Sequence, residues 1–490
     1  MEEKSEISKE RPIILFNSIN EDGIGDFSHF EDFVRALHKI PRFRGQKFIA
    51  FIGFDPKGKK ENYDRIKERL EHLEIESYYG TYDELDQQLD DLSSRIILQL
   101  EQASQAIIIS LNSRKSYVFR RCLVWMRNLD TLPKFIGEHE ANLLEIGDYY
   151  YRSFGLSDRC YGLKIREKSH LRVVDAWETI RHLDTAFFEK LLTQTHSTSV
   201  HEFVANNMLF PAYFNHLAGL LHFFIFLDKC SSIDKNISIY CSGLNFEQFL
   251  EFEQCIATYD ETALRNISRY SLDKWPLAFL KLKGSHVKCI EIISPSHELK
   301  YIELNPSGSK VIKIFSGYYI NKLSYEAIYQ LASVAGVSGD NTLELCLSLD
   351  VLPYYESTNF DMKASTLSAL REITQLSQLN ISTEARAMLN HFFDRYGRIS
   401  EEIFDLPKML EAWPVIVDYL KQNMNFYNQL ETIMLEGIKL NASPLSIKEI
   451  KKRTQEQPNV TDYNGHFFSD EAQSKTPDDE HDLSDKHKIK

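Results

Sequence analysis

Short apolar runs alternate with amphipathic stretches along the first 150 residues, and that alternation predicts a parallel sheet covered by helices. Pro12-Ile13-Ile14-Leu15-Phe16 reads as a first buried strand, followed by a loop over 17–26. Phe30, Phe33, Val34 and Leu37 then recur at helical spacing and predict a helix over 27–40. Further strands are predicted at 47–52, 76–79, 106–110, 135–137 and 141–146, with helices over 60–73 and 83–102. A stretch at 173–227 reads as mostly helical, and a second alternation follows it. Strands are predicted there at 236–241, 289–293 and 310–315, with helices over 246–257 and 324–331. The weakly apolar run 330–337 closes on a polar turn at 338–344, which opens an apolar helix, Leu345-Cys346-Leu347-Ser348-Leu349. That helix ends at Asp350, and Val351-Leu352-Pro353-Tyr354-Tyr355 is a short strand delivering Glu356. Helices continue over 364–438, while 451–490 is polar, aromatic-poor and charge-dense and reads as disordered.

The fold class is therefore α/β, with two Rossmann-like domains facing across a cleft, a helical connection and a disordered C-terminal tail. The expected divisions are 11–205, 206–440 and the tail 451–490. A chain of 490 residues has room for both cores. Its net charge of -14 argues against a broad nucleic-acid-binding face, which needs clustered Lys and Arg. The seven cysteines form no CxxC pair and sit mostly in apolar runs, which points to reduced thiols in a cytoplasmic protein. No secretory signal is visible in 1–11, and the most apolar segment, 217–227, is too short to span a bilayer and reads as a buried helix.

Chemistry concentrates in two places. In the first unit, Asp22, Gly23, Gly25, Asp26 and His29 fall between the first strand and its helix. The glycines permit close approach of another molecule, and Asp26 and His29 are the candidate bases. A helix dipole disfavours protonated imidazole in the first turn, so His29 there stays available as a base. The spacing is not a dinucleotide fingerprint, because Ser28 stands where GxGxxG needs glycine. In the second unit, Ser338-Gly339-Asp340-Asn341-Thr342, with Glu344 and Glu356, lies at the carboxyl edge of the sheet. A small-residue turn leading into a helix suits a phosphate or diphosphate. The turn Ser316-Gly317-Tyr318 ends a neighbouring strand. An ordinary cap at Asp340 is the competing explanation. Tyr149-Tyr150-Tyr151, with Gly155 and Tyr161, either lines an acceptor pocket or packs between domains. The chain contains no DxD after an apolar strand, no HExxH, no GxSxG and no Walker loop, so no metal site is assigned.

These features together resemble GT-B-fold glycosyltransferases. More narrowly, 19–37 and 317–356 resemble glycosyltransferase-like proteins of intracellular bacteria such as Legionella and Coxiella. The residues behind the narrower likeness are Val337-Ser338-Gly339-Asp340-Asn341-Thr342-Leu343-Glu344 and Tyr355-Glu356. The resemblance implies an acceptor-side N-terminal domain and a C-terminal domain gripping a nucleotide-sugar donor, with no further cofactor. Ser316, Gly317 and Ser338 to Thr342 would meet the diphosphate, Glu344 or Glu356 the ribose or sugar hydroxyls, and Asp26 or His29 would deprotonate the acceptor. Lys313 and Lys322 are the nearest cations in sequence to that diphosphate. The acceptor, whether protein, lipid or glycan, and the stereochemistry stay open. The charged tail would also suit export as an effector. The alternatives are a sugar-nucleotide epimerase or hydrolase of the same fold, and a non-catalytic nucleotide-binding effector.

Overall fold

Strands that are apolar on both faces need helices on both faces, and the chain supplies them twice. In the computed structural model the residues described are 12–19, 24–55, 57–58, 60–91, 105–110, 133–137, 151–153, 155–156, 160, 162–166, 173–215, 217–230, 235–244, 248–249, 286–296, 299–356, 361–393 and 404–431. The first sheet holds β1 (Ile13–Ile19), β2 (Phe48–Phe54), β3 (Glu76–Thr81), β4 (Gln105–Ser110), β5 (Pro133–Gly137) and β6 (Tyr151–Ser153). Its order is β3-β2-β1-β4-β5-β6 with every pairing parallel, the Rossmann arrangement in which the chain works outward from β1 on both sides. Helices α1 (Ile24–Lys39), α2 (Lys60–Glu71) and α3 (Tyr82–Asp91) follow the first three strands. Phe27, Phe30, Phe33, Val34 and Leu37 of α1 are buried with Ile13, Leu15 and Ile19 of β1 and with β2 residues.

The end of β1 and the start of α1 differ from the sequence expectation. Strand β1 runs to Ile19 rather than ending at Phe16, because Asn17 and Ser18 continue the ladder between Ile52-Gly53 and Ile109-Ser110. Helix α1 begins at Ile24, so Gly25 and Asp26 belong to its first turn and not to a loop. The strand expected at 141–146 and the tail 451–490 lie outside the described residues.

Helix α1 is tied to α2 by Glu31. Its carboxylate accepts hydrogen bonds from Arg35 Nη2 at 2.8 Å and Arg69 Nε at 3.0 Å, and Arg69 also donates to it through Nη2. The Arg69 guanidinium lies 5.1 Å from the Phe27 ring centroid. Burial would raise the Glu31 carboxyl, but the hydrogen bonds and charges of the two arginines outweigh it and hold the group below 4.5. A depressed carboxyl contributes stability that is complete above the unfolded value and lost as pH falls below 4.5 through the folded one. Glu31→Gln should therefore cost about 1 kcal/mol at pH 7 and flatten the acid limb of the stability curve, as measured by urea unfolding across pH 3–7.

The second sheet is built from β7 (Asn207–Tyr213), β8 (Asn236–Ser242), β9 (Val287–Ile293), β10 (Lys300–Glu303), β11 (Lys310–Ser316), β12 (Val334–Val337) and β13 (Leu352–Tyr355). The order is β10-β9-β11-β8-β7-β12-β13, with only β10 antiparallel, at the edge. Helices α4 (Ala176–Leu183), α5 (Thr185–Gln194) and α6 (Val200–Asn206) precede this sheet and pack on it, sharing a core with Tyr240, Ile293 and Phe315. The remaining helices are α7 (Leu217–Lys229), α8 (Lys322–Gln330), α9 (Asp340–Leu349), α10 (Asp361–Thr374), α11 (Thr383–Phe393) and α12 (Leu406–Asn423). Helix α7 is the buried apolar segment expected at 217–227. Strand β7 was not expected, since 173–227 reads as helical; its single apolar run has no diagnostic period, and Pro211 argues against a central strand. After α12 the chain returns to the first lobe, where Phe426 and Leu430 join the α1 core.

Candidate functional site

In parallel sheets ligands collect at the carboxyl ends of the strands, where the order reverses. In the second sheet that reversal falls between β7 and β12. Three strands of this sheet end in the same dipeptide, Ser242-Gly243 after β8, Ser316-Gly317 after β11 and Ser338-Gly339 after β12. Strand β11 is not the expected neighbour of β12, because β8 and β7 lie between them. Gly243 and Gly317 have φ of 91° and 78°, which side chains rarely adopt. A Cβ on Gly243 would also lie 2.4 Å from the Phe214 carbonyl oxygen, so the turn passes directly over the end of β7.

Helix α9 starts immediately after Ser338-Gly339, five residues earlier than the sequence pattern implied, with Asp340 its first residue and Gly339 its cap. That corrects both the long turn and the competing idea of Asp340 as cap. Gly339 O accepts from Thr342 N at 3.2 Å and Leu343 N at 3.0 Å, and the amides ahead of them have no intrahelical acceptor. Asn341 is exposed at this end; the Asp340 side chain lies outside what the structure describes.

Glu356 closes the floor of the reversal. It is 1% exposed, its amide donates to Val337 O at 2.6 Å, and its carboxylate accepts from Ser338 Oγ and from Asn215 N at 3.5 Å. A Cβ on Gly219 would come 2.6 Å from Glu356 Oε1, so the carboxylate rests against the first turn of α7, where the dipole favours an anion. Burial, and then the Glu356 charge, pushes the Tyr213 phenol up. Tyr325 donates to Tyr329 Oη at 3.1 Å. Its burial raises its phenol, against hydrogen bonds involving Tyr329, Ser242 and Thr342, so it links the β8 turn to α9.

The other expected donor residues divide. Gly317 is exposed at the rim, whereas Ser316 is buried and donates to Leu244 O at 3.0 Å. The Tyr318 ring turns inward, 5.4 Å from Phe187, and it is Tyr319 that stands fully exposed. Lys313 is buried in the sheet against Glu291 Oε2 at 2.5 Å, which removes it from the rim. Glu344 faces away from the start of α9, accepting from Lys164 N at 3.0 Å with Lys164 Nζ at 3.3 Å. Lys164 was not anticipated; nothing in Gly162-Leu163-Lys164-Ile165-Arg166 marks it as paired. In the first lobe α1 carries Asp26 and His29 in its first two turns, but their side chains, and Asp22 and Gly23 altogether, lie outside the described residues. Tyr151 lies in β6 and Gly155 bridges to Gly162, while Tyr149, Tyr150 and Tyr161 fall outside.

Among the described residues no helix is long and apolar enough to cross a membrane, and no cluster of three metal-binding side chains occurs. The described cysteines Cys160, Cys230, Cys241, Cys289 and Cys346 are all buried. No family model matches the sequence, and no curated protein does. Solved structures do. The chain is similar to an α,α-trehalose 6-phosphate synthase from Burkholderia multivorans, at 9% identity and TM-score 0.41, over 88% of this chain and 100% of that one. A second likeness is to a trehalose-6-phosphate structure from E. coli bound with UDP-2-fluoro glucose, at 9% identity and TM-score 0.37, over 87% and 99%. A third is to the glycosyltransferase VinC in complex with dTDP, at 8% identity and TM-score 0.32, over 87% and 99%. All three TM-scores lie under 0.5, so the two Rossmann-like units are assigned from strand order and register in this chain itself.

Proposed function

We propose that the protein transfers a glycosyl group from a nucleotide sugar held at the carboxyl edge of the second sheet. The observation that carries this reading is the pair of Ser-Gly turns after β8 and β12, which flank β7 and both border Tyr213, beside the free start of α9 at the strand-order reversal. Gly339 and the amides of Asp340 and Asn341 receive the diphosphate, and the α9 dipole stabilises it as it leaves. Gly317, three strand positions and about 14 Å away, faces the nucleoside end of the donor. Glu356 acts from beneath, orienting Ser338. Asp26 or His29, at the start of α1, accepts the proton of the incoming hydroxyl. The reaction is proposed without a metal, in keeping with a sequence that has no DxD motif after an apolar strand. Residence in the cytoplasm and the narrower likeness to glycosyltransferase-like proteins of intracellular bacteria belong to the same reading. The expected division at 205/206 does not, because α4 to α6 share a core with the second sheet.

One observation favours a second reading, a non-catalytic nucleotide-binding protein. None of the described rim residues 213–215, 242–244, 294–296, 316–319, 338–341 and 356 is Lys or Arg, so no side-chain cation there neutralises a leaving diphosphate.

A thermal-shift panel of UDP-, GDP-, ADP- and dTDP-sugars tests the site. One nucleotide class should stabilise the protein, by about 2.7 kcal/mol at a hundredfold excess over Kd. Gly339→Val places its Cβ 3.4 Å from Tyr213 Cε1, an ordinary contact, on extended backbone that suits valine. It should cost about 1 kcal/mol as a poorer helix cap and abolish the ligand shift. No shift with any sugar nucleotide would end this reading. Binding without turnover would select the second, while free sugar or an epimerised nucleotide sugar formed without acceptor would identify a hydrolase or epimerase.

A further inference from the structure

The chain passes between the lobes twice, and the two crossings are bonded to each other. Leu163 N donates to Met424 O at 2.9 Å, Phe426 N to Leu163 O at 2.9 Å, and Asn425 Nδ2 to Ile165 O at 2.9 Å. Gly162, at φ 91°, packs so tightly that a Cβ would meet Met424 O at 2.3 Å. Arg166 extends the seam over the second lobe, its amide donating to Ser348 Oγ at 2.9 Å and its guanidinium to Glu326 at 3.1 Å.

Lys164 lies in this seam with its side chain 1% exposed. Its ammonium nitrogen is 3.3 Å from Glu344 Oε2, on α9 of the second lobe, and 3.7 Å from Asp32 Oδ2, on α1 of the first. The two acids are not equivalent. Glu344 is 7% exposed and also takes the Lys164 amide, whereas Asp32 is 48% exposed and has the longer contact. The lysine is therefore anchored to the second lobe and reaches across to the first.

We infer that Lys164 is a positioning residue that sets the spacing between the lobes, with Asp32 as the separable half of the contact. Asp32 is eight residues from the start of α1, about 12 Å, and Glu344 four residues from the start of α9, about 6 Å. One buried nitrogen thus ties together the two helices whose first turns hold the candidate half-sites. The inference concerns lobe geometry and holds whatever ligand the second lobe takes.

The test is pulsed dipolar EPR on the full chain. Spin labels are placed at exposed Glu68 on α2 and Glu189 on α5, through introduced azide-bearing residues that leave the native cysteines untouched. The unsubstituted protein should give one narrow distance distribution. Asp32→Asn should broaden it and lengthen its mean while melting at the same temperature, since the lost carboxylate is half-exposed. Asp32→Glu, which keeps the charge, should restore the narrow distribution. An unchanged distribution in Asp32→Asn overturns the inference, as does equal broadening in Asp32→Glu.

Discussion

Lys164→Met is expected to destabilise the protein by about 3–5 kcal/mol, because it leaves the Glu344 carboxylate buried without its cation. Both partners are almost fully enclosed, at 1% and 7% exposure, so water cannot take over the lost charge interaction. The size of the effect measures the stranded charge and not the worth of the pair. Lys164→Met with Glu344→Gln should therefore recover most of the loss: glutamine carries no charge and can still accept from the Lys164 amide at 3.0 Å. Urea unfolding of the parent, the two single variants and the double closes the cycle. A loss under about 1 kcal/mol in Lys164→Met would show that the pair is solvated after all.

Gly243→Ala is the second large effect. A left-handed backbone costs a side-chain-bearing residue about 1–2 kcal/mol. Here the added Cβ would also press within 2.4 Å of a backbone carbonyl, Phe214 O, and displacing packed backbone costs about 1–3 kcal/mol more. Gly45 is the internal control. It has a similar positive φ of 77° but nothing within 4 Å of its would-be Cβ, so Gly45→Ala should show the strain alone. If the two substitutions destabilise equally in thermal unfolding, the close approach of the β8 turn to the end of β7 is wrong. The same displacement should weaken nucleotide-sugar binding, because Gly243 flanks Tyr213, whose ring borders Gly339.

Much of the fold is legible in the sequence because burial on both faces leaves unbroken apolar runs. Strands β2, β4, β8, β9 and β11 and helices α1, α2, α7 and α8 all fall where that pattern places them, to within a few residues. Two of the failures share one cause: polar or helix-breaking residues whose partners are distant in sequence. Asn17 and Ser18 look like loop, yet extend β1 because ladders on both sides hold them. Pro211 hides β7, which pairs along its whole length with β8 but meets β12 at the single pair Gly336–Ala212. Of the candidate site, the turn after β12 and the delivery of Glu356 by β13 were readable, while Ser242-Gly243 was overlooked. The recurrence of Ser-Gly after an apolar run at 242, 316 and 338 was a signal in plain view.

The amino-acid order alone determined that this protein has two α/β units, where most of their strands start, and that a small-residue turn precedes the apolar helix now seen to begin at Asp340. Those properties follow from local periodicity and from the freedom of glycine, which need no knowledge of distant residues. Only the tertiary structure decided what the charged and aromatic side chains do. Glu344 turns to Lys164, 180 residues away, Glu356 settles against α7, Tyr318 goes inward and Tyr319 outward. A carboxylate buried in low dielectric must find a cation, a donor or a helix start, and which of these lies within reach is set by how the lobes pack.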